Sequence, residues 1–176
     1  GIQVVIGAMK NHTSESVAQW WAIKLFWRLQ DRKDPTRCMK KMIDEDLISV
    51  CGKILKARST TPEVFQQAAE LICALIASSG SASSFANGAE CISTCIRVMA
   101  EFSTDANMQE CCSNLLGTLA RGGSQYKREI SESDEFLAFI NGLNNFQDNE
   151  TLMESAMILF WILSSDSSSF DFNCLE

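Results

Sequence analysis

Four segments of this chain align on one another without internal gaps, at spacings of 46, 44 and 44 residues. The segments are anchored on Ala18, Val64, Met108 and Leu152. Four residues after each anchor stands a small residue: Ala22, Ala68, Cys112 and Ala156. Seven after stands leucine every time: Leu25, Leu71, Leu115 and Leu159. Eight after stand Phe26, Ile72, Leu116 and Phe160, and eleven after stands leucine again, at Leu29, Leu75, Leu119 and Leu163. Offsets of 0, 4, 7, 8 and 11 trace one apolar stripe of an α-helix. A period in this range marks a repeat architecture, in which no unit buries its apolar face alone and neighbours must stack.

A second stripe precedes each of these helices. Sixteen residues before the anchors stand Ile2, Ile48, Ile92 and Phe136. Thirteen before stand Val5, Cys51, Cys95 and Phe139, and nine before stand Met9, Leu55, Met99 and Leu143. Each unit is therefore predicted to be a helical hairpin. Ser14, Thr60, Thr104 and Asp148, four residues before the anchors, are of the types that cap helix N-termini. The stretches Asp34 to Lys41 and Ser124 to Glu129 have room for a third, shorter helix. The expected division is a truncated first repeat over 1–33, full repeats over 34–80, 81–123 and 124–165, and a serine-rich, acidic, flexible tail over 166–176.

The stripe resembles the armadillo repeat, whose third helix carries a V-Q-x-x-A-x-x-x-L-x-x-L run. Val64 to Leu75 and Met108 to Leu119 match it best, Leu152 to Leu163 well, and Ala18 to Leu29 with Val17 shifted by one. The resemblance covers nearly the whole chain. It departs from the family in a period slightly above the usual one of about 42, and in a loose glycine pair, Gly88-Ala89. HEAT-like repeats are a close alternative. The resemblance implies an all-α fold, a right-handed α-solenoid of about four armadillo-type repeats, with the long helices lining a groove that holds an extended peptide.

In the import receptors of that family the groove carries Trp and Asn ladders, six and ten residues after these anchors. Here the sixth positions are Lys24, Glu70, Asn114 and Ile158, and the tenth are Arg28, Ala74, Thr118 and Ile162. Both ladders are missing, which disfavours a receptor for lysine-rich signals. The groove positions that remain are Trp21, Lys24 and Arg28 at one end, then Gln67, Glu70, Cys111 and Asn114. Trp21 with two cations suits an acidic segment; equally, the cations are solvated and the indole packs on a neighbouring helix. Gln67, Glu70, Cys111 and Asn114 either bond a peptide backbone or are plain surface residues. Trp20, Ile158 and Ile162 break the polarity of otherwise exposed positions and suggest contacts with a neighbouring domain, repeat or chain.

Composition narrows the function. A net charge of -7 argues against nucleic acid as the partner. No apolar run reaches the roughly 18 residues of a membrane span. Most of the eight cysteines (Cys51, Cys73, Cys91, Cys95, Cys111 and Cys112) sit inside apolar, helix-like segments, where free cysteine acts as a small hydrophobe, so reduced thiols and an intracellular protein, cytoplasmic or nuclear, are expected. The single histidine, His12, has no partners in triad or metal spacing, and no glycine-rich phosphate loop occurs. No catalytic residue, cofactor or metal is therefore assigned. The chain opens on Gly1 without a signal-like stretch and reads as part of a larger protein. The expected function is a protein-interaction scaffold. The alternative is a structural segment that packs on its own chain or self-associates through open ends.

Overall fold

The computed structural model describes residues 1–30, 34–79 and 88–165, so the tail expected over 166–176 lies outside the described residues. These residues are all-helical, without a strand. The helices are α1 (Ile2–Asn11), α2 (Ser16–Gln30), α3 (Pro35–Asp44), α4 (Leu47–Lys56), α5 (Pro62–Ser79), α6 (Gly88–Glu101), α7 (Ala106–Ala120), α8 (Ser124–Ser131), α9 (Asp134–Gly142) and α10 (Glu150–Ser164). A 3-10 turn, Leu143–Phe146, ends α9. None of the described helices is long and apolar enough to cross a membrane. The short helices foreseen after Asp34 and Ser124 are α3 and α8.

The helices fall into two compact units, Gly1–Asn87 and Gly88–Glu176. In the first, α5 packs against α2, α3 and α4. In the second, α7 packs against α6 and α10, and α6 against α8 and α9. The repeated stripe forms both cores. Val64, Ala68, Leu71, Ile72 and Leu75 are buried in the first unit; Met108, Cys112, Leu115, Leu116 and Leu119 are buried in the second. Leu152, Ala156, Leu159 and Leu163 are buried likewise.

The capping positions differ from expectation by one residue. Asp105 Oδ1 accepts from Met108 N at 3.1 Å, Asn149 Oδ1 from Leu152 N at 3.0 Å, and Thr61 Oγ1 from Val64 N at 3.4 Å. A capping oxygen reaches the N–H three residues on, so the anchor is the third helical residue and the cap precedes it by three, not four. Thr60 instead donates its hydroxyl to Ile54 O at the end of α4. Pro62 occupies the first turn of α5, where its missing N–H leaves nothing unpaired.

Two buried glutamines repeat as well. Gln19 Nε2 donates to Met9 O at 3.1 Å and His12 O at 2.6 Å. Gln109 Nε2 donates to Met99 O at 2.7 Å and Phe102 O at 2.8 Å. Both stand one residue after an anchor, on a long helix, and both hold the carbonyl end of the helix before it. In each hairpin one amide proton goes to a carbonyl in the last turn of the preceding helix, Met9 O or Met99 O, and the other to a turn carbonyl, His12 O or Phe102 O, that also accepts a backbone N–H.

In the second unit, the Tyr126 ring lies between two glycines. A Cβ at Gly88 would stand 2.5 Å from Tyr126 Oη, and one at Gly122 would stand 3.1 Å from its Cδ2. Gly88→Ala is therefore expected to cost about 1–3 kcal/mol, because the Tyr126 ring must shift to admit the new Cβ. Gly7→Ala, in α1 with open space around a new Cβ, is expected to be neutral or to stabilise by up to about 1 kcal/mol. Urea denaturation of the two variants checks the contrast.

Candidate functional site

The long helices α2 and α5 carry a polar line across the first unit. Lys24 Nζ donates to Gln67 Oε1 at 3.0 Å, and Gln67 Nε2 donates to Glu70 Oε2 at 3.0 Å. Lys24 Nζ also stands 5.4 Å from the centre of the Trp20 ring. Cation, amide and carboxylate thus alternate across two helices. Gln67 is half-buried and Glu70 exposed. One proton of the Gln67 amide and one oxygen of the Glu70 carboxylate are left over from these two bonds, so the line can donate to and accept from an extended backbone.

This geometry reassigns two residues. The aromatic partner of Lys24 is Trp20, four residues before it, not Trp21, because a four-residue step returns closer to the same helix face than a three-residue one. Trp20 is half-buried and meets Trp21 edge-on, centroids 4.7 Å apart and planes at 85°. Trp21 turns to the other side and stands 63% exposed. There it lines, with Val4, Ala8, Met9, Ala18 and Leu25, an apolar groove of about 340 Å³ between α1 and α2. Arg28 is exposed on α2.

In the second unit, Cys111 is half-buried and Asn114 exposed on α7. Ile158 on α10 is 42% exposed. Ile162 corrects the expectation that it stands open at the chain's last helix: it is 3% exposed. Its Cδ1 lies 3.4 Å from where a Cβ of Gly117 would be, so a residue without a side chain on α7 makes the space that Ile162 fills. Glu110 on α7, which the sequence pattern did not single out, accepts from Thr151 Oγ1 of α10 at 2.9 Å.

The remaining reactive groups have local partners. His12 Nδ1 stands 3.1 Å from Glu15 Oε1 in the exposed turn between α1 and α2. Among the described residues, seven cysteines stand outside any disulfide. Contact with the Cys112 thiol and complete burial push the Cys95 thiol well above its ordinary pKa, which holds it protonated and unreactive at neutral pH. At the start of α5, its own backbone N–H and the Thr61 hydroxyl lower the Glu63 carboxyl, as expected at a helix N-terminus. Among the described residues no three His, Cys, Asp or Glu side chains converge as metal ligands would.

Compared with protein-family models, with curated proteins and with solved structures, the chain matches none.

Proposed function

We propose that this chain is a protein-interaction scaffold, an armadillo-type right-handed α-solenoid segment that holds an extended peptide or protein segment along its long helices. The observation that carries this reading is the Lys24–Gln67–Glu70 line, which spans two successive long helices at 3.0 Å steps. Support for the repeat beneath it comes from the buried stripe and from the two glutamine clamps, which recur at equivalent positions. The scaffold works by complementarity along a rigid surface, without a covalent step. Trp20, Lys24 and Arg28 favour a segment that is acidic where it meets α2. Cys111 and Asn114 hold the corresponding positions on α7. The proposed setting is intracellular, as part of a larger protein.

The test is an array of extended peptides of graded charge, with binding followed by fluorescence anisotropy. Acidic peptides are expected to bind best. Lys24→Glu together with Gln67→Ala is expected to weaken binding about tenfold or more, roughly 1.4 kcal/mol. Both side chains are half-buried and neither belongs to the apolar core, so the helical circular dichroism should be unchanged. Peptide binding that is indifferent to this double substitution, or an array without binders, overturns the reading.

A further inference from the structure

Among the described residues, every exposed large hydrophobic side chain lies on α1, α2 or α10. On α2 these are Val17, Trp21 and Leu25, at 73%, 63% and 41% exposure; on α10 they are Met157, Ile158 and Trp161, at 58%, 42% and 69%. Exposed apolar area concentrated in this way marks a contact surface. We infer that α10 of one copy docks on the α1–α2 groove of a second copy, so that the chain stacks head to tail.

The contacts inside each unit supply the register. In the first unit the sixth position of α2, Lys24, meets the third position of α5, Gln67. In the second unit the ninth position of α7, Gly117, is covered by the seventh and tenth positions of α10, Leu159 and Ile162. When α10 takes the place before α2 of another copy, the same steps pair Ile158 with Trp21. They also bring Trp161 onto Leu25 and Arg28, where the indole covers the leucine and offers its face to the guanidinium. Four of these exposed side chains, Trp21, Leu25, Ile158 and Trp161, then meet an apolar or aromatic-compatible partner.

Charge points the same way. Helices α1 and α2 carry Lys10, Lys24 and Arg28 and no carboxylate, whereas α10 carries Glu150 and Glu154 and no cation. The asymmetry extends over the chain: residues 1–87 hold eleven Lys and Arg against eight Asp and Glu, and residues 88–176 hold four against fourteen. Two like ends repel, and unlike ends attract. That selects a second copy in head-to-tail order over symmetric pairing of the same face. A heterologous contact of this kind does not close on itself at two copies, so it grows by addition.

The decisive experiment uses two variants of the full chain, one blocked at each end, in sedimentation velocity from about 1 to about 200 µM. Leu25→Glu blocks the groove, and Trp161→Glu blocks α10; both positions are exposed, and unchanged circular dichroism verifies the folds. The parent chain is expected to gain mass with concentration beyond a dimer, and more weakly at high salt. Each variant alone is expected to stay monomeric, and the two mixed are expected to form a heterodimer that grows no further. A parent chain that remains monomeric at the highest concentration overturns the inference. So does self-pairing of either blocked variant, which would mean that like faces meet. Peptide binding by the polar line is read separately, so failure here leaves that reading intact.

Discussion

Leu71→Ala, Leu115→Ala and Leu159→Ala are each expected to destabilise the protein by about 2–5 kcal/mol, whereas Leu25→Ala costs less than about 1 kcal/mol. All four leucines occupy the same place in the repeat, seven residues after an anchor. Three of them are fully buried, while Leu25 is 41% exposed. Truncating a buried leucine loses its transfer free energy and leaves a cavity that the surrounding helices fill only in part. At Leu25 one side is already open, so there is less to lose and no enclosed void to create. Urea denaturation followed by circular dichroism checks this: the first substitution lies in the unit of α1 to α5, the next two in the unit of α6 to α10. A Leu25→Ala cost equal to that of Leu115→Ala would falsify the exposed character of the first hairpin.

The second large effect is expected at Gln109. Its amide is buried at 2% exposure and supplies the hydrogen bond to Met99 O at 2.7 Å. Phe102 O, its other acceptor, also receives the backbone N–H of Asp105 at 3.0 Å, so Met99 O is the group most affected by loss of the side chain. Gln109→Leu, similar in volume, leaves that carbonyl buried and unpaired and is expected to cost about 1–3 kcal/mol. Gln109→Glu is expected to cost more at neutral pH, about 3–5 kcal/mol, because an unpaired carboxylate would face two carbonyl oxygens. Its sign with pH is distinctive. Burial beside these acceptors raises the folded-state pKa of the new carboxyl, so the protonated form, which can donate to Met99 O, is favoured in the fold. Stability of this variant is fully present below the unfolded value of about 4.3 and is lost as pH rises through the folded value. Thermal melts at pH 4 and pH 7 should therefore show its deficit against the parent protein shrinking on acidification. A deficit that is constant with pH would refute the clamp.

Much of the helical organisation was legible because helix periodicity is a local property. The offsets of 0, 4, 7, 8 and 11 located α5, α7 and α10, and the earlier stripe located α4, α6 and α9. The caps were displaced by one residue because composition marks a polar entry to a helix but not which hydroxyl or carboxylate turns inward. Thr60 and Thr61 are both capping types; only the fold assigns the first to Ile54 O and the second to Val64 N. The clamps were missed although Gln19 and Gln109 are in register, because neither Phe65 nor Met153 continues the pattern. A glutamine beside an apolar stripe is indistinguishable from a surface residue until the preceding helix end is set against it.

At the candidate site, Lys24, Gln67 and Glu70 were all visible as polar positions on repeated helices, and the sequence alone determined that they share the long-helix series. Their order of bonding required tertiary structure, since Lys24 and Gln67 are 43 residues apart. The same holds for the aromatics. Helical periodicity puts both Trp20 and Trp21 within reach of Lys24, and packing against α1 places Trp21 in the apolar groove and leaves Trp20 beneath the cation. Gly117 decided the fate of Ile162, which an isolated helix would present to solvent. The sequence by itself determined the repeat, its helical class and its apolar stripes, because these follow from the spacing of side chains along one helix. Only the tertiary structure decided which stripe is covered and which is bare, because burial depends on what the neighbouring helix brings to the contact.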